Sequence, residues 1–355
     1  MRNIIICIPS LEYGGAERVT TRLANYFSKQ NTVTVITVRE SKQEYKLNCS
    51  INKIVLKSSN SFSRVFKLRS VIKKINPDIV ITMFAPMYIL VYYAMIGLNI
   101  PQIVSERNDP RNYSGSFITR LLYQKILTKA DGIVFQTKQA QSYYKQNKIK
   151  SSTIIYNPID HNELPAYFLG TRNKVIVNVG RLHEQKNQKL LIDAMINIHK
   201  KIPEYKLIIY GEGNLRNALS NYIEKGGASE YIELAGQSNN VLTLINKASL
   251  FVLSSNFEGM PNALIEAMCL GLPVISTNCP CGGPSELIRN NENGILVDVN
   301  NEEQLSNAIL EVINNPTLCK RISTNALQKR KQLDINTIGL QWLNYCDIVL
   351  QGEQR

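Results

Sequence analysis

Short apolar runs, cut by glycine and polar turns, recur along the chain and alternate with longer stretches whose apolar positions fall at helical spacing. The run IIICIP at 4–9 reads as a buried parallel strand. It is followed by the glycine-bearing turn LEYGGAER at 11–18, a helix to about Ser28 and the strand TVTVITV at 32–38. Strands this apolar belong to parallel sheets with helices on both faces. The alternation resumes with INKIVL, a helix around 62–75, and the strands DIVITMF, PQIVSE and DGIVFQT. After STIIYNPID the periodicity lapses over 161–173, where Pro165, Gly170 and polar residues collect as in a linker. A second set follows: KVIVNVG, a helix from Asn187, KLIIYG, a helix ending near Gly226, YIELAG, ASLFVLSS, the helix PNALIEAMCLG and PVISTN.

Two such sets predict an α/β protein of two Rossmann-like domains facing a central cleft. The domains are expected over 1–160 and 174–334, joined by the linker 161–173. A last helix, 335–355, lines up Ile335, Ile338, Trp342, Tyr345 and Val349 on one stripe and is expected to pack back on the first domain. Residues 79–100 carry no charge and are long enough to span a bilayer. Pro86 and the strand-like IVITMF divide them instead into a strand over 78–84 and a buried helix up to Gly97. The apolar run at the N-terminus is too short for a signal peptide and is interrupted by Pro9.

The formal charge of +13 is unevenly placed: residues 1–170 hold 23 Lys and Arg against 10 Asp and Glu, and residues 171–355 hold 18 of each. A field of that sign attracts phosphates, an anionic membrane face or nucleic acid. Nucleic acid is set aside, since there is no zinc-finger spacing, ribonucleoprotein signature or basic tail. The seven cysteines are odd in number and without a spaced framework, which points to reduced thiols in the cytoplasm. Cys279 and Cys281 lack a second pair at metal-ligand spacing, so no structural zinc is expected.

Three clusters carry the candidate chemistry. The first is FVLSSNFEGMPNALIEAM at 251–268, a strand, an acid-bearing loop with Glu258, and Pro261 at a helix start. The opening N–H groups and partial positive charge of that helix suit a diphosphate. Gly259, Met260, Pro261, Asn262 and Ala263 are expected to bind the donor there. Glu266 could accept hydrogen bonds from hydroxyls, or face solvent as an ordinary helical carboxylate. The second cluster, VGRLHEQKN at 179–187, places Arg181 and Lys186 after a strand, where an α/β protein holds phosphate; they are otherwise two surface cations. The third is Gly14 with Gly15, which allow a ligand close to the backbone or a tight reversal. Gly211 and Gly213 form the one G-x-G, without the third glycine of a dinucleotide fingerprint, and are expected among the donor-binding residues. No Asp-x-Asp is present to hold a divalent ion, so no metal and no cofactor are expected. A leaving diphosphate would be neutralised by Arg181, Lys186 and helix N–H groups.

In this order GGAER, SERNDP, GRLHEQKN, YGEGNLR, FEGMPNALIEAM and PCGGPSELI closely resemble glycosyltransferase family 4, the retaining enzymes of GT-B fold, over nearly the whole chain. The resemblance implies a donor on the C-terminal domain, with Arg181 and Lys186 on the diphosphate, Glu266 on the ribose, Glu258 near the transferred sugar and Gly15 opposite. Where many members carry a sugar-contacting His, this chain has Glu106, Arg107 and Asn108. The spelling SERNDP with PCGGPSEL resembles the bacterial branch acting on polyprenyl-diphosphate-linked glycans for O-antigen or capsule. It implies a nucleotide-sugar donor, UDP by default, a lipid-linked glycan acceptor, and a cytoplasmic enzyme peripheral to the inner face of the membrane. The stretch SFSRVFKLRSVIKK, with Phe62, Val65 and Phe66 among Arg64, Lys67, Arg69, Lys73 and Lys74, is either the membrane contact or a sheet-packing helix with a solvated basic face. A nucleotide-sugar epimerase of the same architecture is the alternative; a dehydrogenase would need the full glycine fingerprint.

Overall fold

The structure, a computed structural model, describes every residue except 59, 108, 113–115, 145–147 and 353–355, and of these every side chain except those of 85, 86 and 117. The chain divides into two compact units, one of Met1–Pro158 with Leu333–Arg355, the other of Ile159–Gln332.

The first unit is built on seven parallel strands: β1 (Asn3–Ile8), β2 (Thr32–Thr37), β3 (Asn52–Val55), β4 (Ile79–Thr82), β5 (Gln102–Glu106), β6 (Gly132–Phe135) and β7 (Ser152–Ile154), in the spatial order β3-β2-β1-β4-β5-β6-β7. Ile4, Ile5, Ile6, Cys7 and Ile8 of β1 are all buried, as a central strand covered on both faces demands. Right-handed crossovers sort the helices. Gly15–Phe27 follows the chain toward one edge of the sheet. Ser61–Ile75, Ala85–Met95 and Phe117–Leu127 follow it toward the other edge and pack side by side on the opposite face. The uncharged stretch resolves into β4 and the helix Ala85–Met95, with proline in its first two positions. Among the described residues no helix is long and apolar enough to cross a membrane.

The last helix, Ile335–Gly352, lies against Gly15–Phe27, with Gly339 set against the Tyr26 ring, where any side chain would collide. The Tyr345 hydroxyl accepts a hydrogen bond from the Ile133 N–H at 3.0 Å, and Arg2 pairs with Asp347.

The second unit holds β8 (Asn173–Val179), β9 (Lys206–Tyr210), β10 (Ile232–Gly236), β11 (Ala248–Leu253), β12 (Val274–Thr277) and β13 (Ile295–Val297), all parallel, in the order β10-β9-β8-β11-β12-β13. Counted from β8 this is the 3-2-1-4-5-6 order of the doubly wound nucleotide-binding sheet. The segment 161–173, expected as a linker, counts with this unit and is fastened along its length. Leu164 is buried, the His161 ring bonds the Arg330 carbonyl at 2.8 Å, and the Arg172 guanidinium donates to the carbonyls of Asn246, Ala248 and Gly271 at 2.8, 3.0 and 2.8 Å.

Candidate functional site

In a doubly wound sheet, ligands bind beyond the carboxyl ends of the strands where the crossovers change direction. In the second unit that point lies between β8 and β11. The loops leaving the two strands are stitched to each other. The Asn256 N–H donates to the Gln185 carbonyl at 2.8 Å, the Asn256 side chain to the Glu184 carbonyl at 2.8 Å, and the Gln185 side chain to the Phe257 carbonyl at 3.1 Å. The Ser254 hydroxyl bonds the Lys186 carbonyl at 3.0 Å. Asn187, in left-handed conformation, caps the helix Gln188–Ile198 just after Lys186.

This frame joins Lys186 and Glu258, 72 residues apart in sequence. The Lys186 ammonium bonds Glu258 Oε1, and the same oxygen accepts the Ser255 hydroxyl at 2.7 Å. The pair is mostly buried, with side chains 18% and 7% exposed. The Thr277 hydroxyl, at the end of β12, holds the Ser255 carbonyl at 2.6 Å. The Cys279 thiol feels the charges of both Glu258 and Lys186, and burial pushes its pKa up to about 12. Arg181 lies exposed on the same loop, its guanidinium without an ion pair among the described residues.

Pro261 is the N-cap of the helix Asn262–Cys269 rather than its first residue, and it gives the first turn no side-chain acceptor. Glu266 does not face solvent: it is 3% exposed, between the buried Ile265 and Ala267. Gly259 lies under the start of the helix Gly283–Leu287, where a Cβ on Gly283 would stand 1.7 Å from the Gly259 carbonyl oxygen. Met260 is buried and Ala263 half-buried.

Gly211 and Gly213, counted from the sequence among the donor-binding residues, leave room for the chain's own backbone. A Cβ on Gly211 would lie 2.0 Å from the Gly180 carbonyl oxygen, and one on Gly213 would lie 2.1 Å from that of Leu182. The loop 180–182, which carries Arg181, packs directly against the Cβ side of these two glycines. The Leu182 N–H donates to the Glu212 carbonyl at 2.9 Å, and so fixes that loop from below.

The candidates of the first unit form a separate group at the carboxyl ends of β1 and β5. Gly14 is extended (φ −165°), so it is not needed for a left-handed turn; a Cβ there would meet the Glu17 carboxylate at 2.3 Å. Gly15 opens the helix behind it. Burial raises the Glu17 carboxyl above its ordinary value, and the charge of Arg107 opposes that rise. Arg107 is 9% exposed and donates to the Ser105 hydroxyl at 3.2 Å and to the Asn157 side chain. Burial lowers its guanidinium to about 10, against the pull of Glu17. Glu106, which stands where many members carry the sugar-contacting His, is buried and accepts the hydroxyls of Tyr123 and Tyr144 at 2.8 and 3.0 Å. Burial next to that carboxylate raises the Tyr123 hydroxyl well above its usual value. Asn108 lies outside the described residues.

Sequence reasoning missed Ser255, Thr277, Gln185 and Asn256, which hold the Lys186–Glu258 pair in place. The one local signal was two serines ending a buried strand, too common a spelling to mark a site. Among the described residues no group of three or more His, Cys, Asp or Glu could hold a metal ion.

Residues 160–329 match the family model Glycosyl transferases group 1, and residues 13–163 match Glycosyltransferase Family 4. An uncharacterized glycosyltransferase of Methanocaldococcus jannaschii is 30% identical over 79% of this chain and 81% of its own. The chain belongs to glycosyltransferase family 4. Another relative, 28% identical over 97% of this chain and 98% of its own, is a Campylobacter jejuni alpha-1,4-N-acetyl-D-galactosaminyltransferase named for a diNAcBac-PP-undecaprenol-linked acceptor. The fold of this family 4 enzyme is GT-B. Anabaena HepE, solved in complex with UDP, superposes with a TM-score of 0.81 at 19% identity, covering 97% of this chain and 99% of its own. Sucrose-phosphate synthase of Thermosynechococcus elongatus superposes with a TM-score of 0.87 at 17% identity, covering 99% and 100%. Family 4 membership makes the protein a glycosyltransferase, and the epimerase alternative finds no support among these relatives.

Proposed function

We propose that the chain moves a sugar, with retention and without a bound metal, from a nucleotide-sugar donor held by the second unit to a lipid-linked glycan held by the first. The observation that carries this is the Lys186–Glu258 pair at the β8/β11 switch, beside a helix start whose cap offers no side-chain acceptor. Lys186, Arg181 and the N–H groups of the Asn262–Cys269 helix would neutralise the leaving diphosphate. Glu258 aims Lys186 and lies next to the transferred sugar; Glu266 takes the ribose hydroxyls. Gly15 and Arg107 serve the donor from the first unit. The departing phosphate oxygen takes the acceptor proton on the same face, so the protein supplies positioning and charge rather than a nucleophile.

UDP is the nucleotide favoured by the UDP complexes among the structural neighbours. The lipid-linked acceptor follows the undecaprenol-linked substrate in the names of two Campylobacter relatives. Placement on the inner membrane face is supported by the helices Ser61–Ile75, Ala85–Met95 and Phe117–Leu127. They contain no Asp or Glu, and they expose Phe62, Phe66, Tyr93, Ile118 and Leu121. Val65, read with them from the sequence, is half-buried.

A thermal-shift screen of nucleotide sugars in the presence of a chelator tests the reading. One donor should raise the melting temperature; at a hundredfold excess over its dissociation constant it adds about 2.7 kcal/mol. If no nucleotide sugar stabilises the protein, or if stabilisation needs a divalent ion, the proposal fails. For the membrane, the variant neutralised at Arg64, Lys67, Arg69, Lys73 and Lys74 should no longer float with anionic vesicles. Flotation equal to wild type would end that part.

A further inference from the structure

We propose that Tyr13 and Tyr45 form a stacking platform for an uncharged pyranose ring of the acceptor glycan, with Glu12 and Glu40 taking its hydroxyl hydrogens; this rests on the transferase reading above. Tyr13 directly precedes Gly14 at the carboxyl end of β1. Among the described residues of the first unit it is the one large exposed hydrophobic side chain on a loop that follows a strand's carboxyl end. The others belong to helices, to the turn that ends one of them (Ile96), or to the chain start. Tyr13 is 39% exposed, and its ring centroid lies 4.8 Å from that of Tyr45, with the planes tilted by 54°. Two faces at that angle present an apolar wall and a rim, the shape that accepts the C–H face of a sugar while its hydroxyls point outward.

The platform is held from behind. The Tyr45 N–H donates to the Leu11 carbonyl at 3.0 Å, and Glu12 pairs with Glu44 in an antiparallel bridge. The Glu44 carboxylate accepts the Ser41 N–H at 3.0 Å and the Lys53 ammonium. The Asn25 side chain ties the same loop to the first helix through the Asn48 N–H at 2.9 Å and the Lys46 carbonyl at 3.3 Å. A surface fixed in this way loses little freedom when a ligand settles on it.

Charge decides what kind of ligand fits. The loops around 11–17 and 39–46 carry Glu12, Glu17, Glu40 and Glu44, four of the ten acids in residues 1–170. Arg39, Lys42, Lys46 and Lys53, the last paired with Glu40 and Glu44, balance these four acids, in a half of the chain that is otherwise strongly basic. A diphosphate would be drawn elsewhere on this unit; a neutral, polyhydroxylated ring would not. Carboxylates accept hydrogen bonds from hydroxyls and offer none, which matches that ligand.

Saturation-transfer NMR tests the platform, with methyl α-pyranosides of glucose, galactose, N-acetylglucosamine and N-acetylgalactosamine as probes and UDP as a control. At least one pyranoside should receive saturation through its ring C–H protons. Tyr13→Phe should keep that signal, and Tyr13→Ala should weaken binding by about tenfold. Tyr13→Leu keeps apolar packing against Tyr45 without an aromatic face, and it should weaken binding as Tyr13→Ala does; melting curves check that each variant folds. The proposal is overturned if wild type binds UDP but no pyranoside, or if Tyr13→Leu binds as wild type does. Wild type that fails to bind UDP would instead count against the transferase reading.

Discussion

Removing the Lys186–Glu258 pair one partner at a time, and then together, separates its structural part from its chemical part. Breaking a fully buried ion pair by deleting one partner costs about 3–5 kcal/mol. Here the Lys186 side chain is 18% exposed and can turn to water, so Glu258→Gln should cost less, about 1–2 kcal/mol, since the amide oxygen still accepts the Ser255 hydroxyl. Lys186→Met strands a carboxylate that is only 7% exposed and should cost about 2–4 kcal/mol. For a unit of this size each kcal/mol lowers the melting temperature by about 2–4 °C. The double variant should recover about 1–3 kcal/mol relative to the sum of the singles. Activity should not follow: Lys186→Met and the double variant should both lose about a hundredfold or more in kcat/KM if Lys186 is the cation that meets the diphosphate, as proposed. The assay is a thermal melt beside donor turnover for all four proteins. A double variant that regains activity along with stability would show the pair to be structural only. Additive stabilities would show that it is not coupled at all.

Gly211→Ala should destabilise the second unit by about 2 kcal/mol or more in urea unfolding. Its φ is +143° and the new Cβ would lie 2.0 Å from the Gly180 carbonyl oxygen; native-like stability would contradict the close packing. Tyr123→Phe should cost about 1–2 kcal/mol in the same experiment, since the buried Glu106 carboxylate loses one of its two tyrosine donors; no loss would mean that Tyr144 suffices. With iodoacetamide at pH 8, the exposed Cys49 should be labelled first. Cys7, Cys279 and Cys346, pushed to about 12 by burial, stay as protonated thiols there and should label only in urea. Mass spectrometry finding Cys279 labelled as fast as Cys49 would refute its burial.

The strands were legible wherever apolar runs were continuous, because a strand covered on both faces has no polar alternation to hide it; β1 and β4 are examples. The division of the uncharged stretch followed from Pro86, since proline fits only the first turn of a helix. The strand β13, three residues of Ile-Leu-Val, was too short to show any period. The Lys186–Glu258 pair was not legible, since nothing local relates residues 72 apart; only the adjacency of β8 and β11 joins their loops. The close packing at Gly211 and Gly213 was not legible, because sequence records that a residue lacks a Cβ and not which atom fills the space. The inward turn of Glu106 was not legible, because Tyr123, one of the two tyrosines that hold it, arrives from a helix 17 positions later.

The central claim is that the donor's diphosphate is held by Lys186, Arg181 and the start of the Asn262–Cys269 helix. A crystal soaked with a UDP-sugar in the presence of magnesium tests it most directly. The account predicts phosphate oxygens within hydrogen-bond distance of the Lys186 ammonium and of that helix's first N–H groups, with no metal between them. Phosphates bound away from the β8/β11 crevice, or gripped through a magnesium ion, would contradict it.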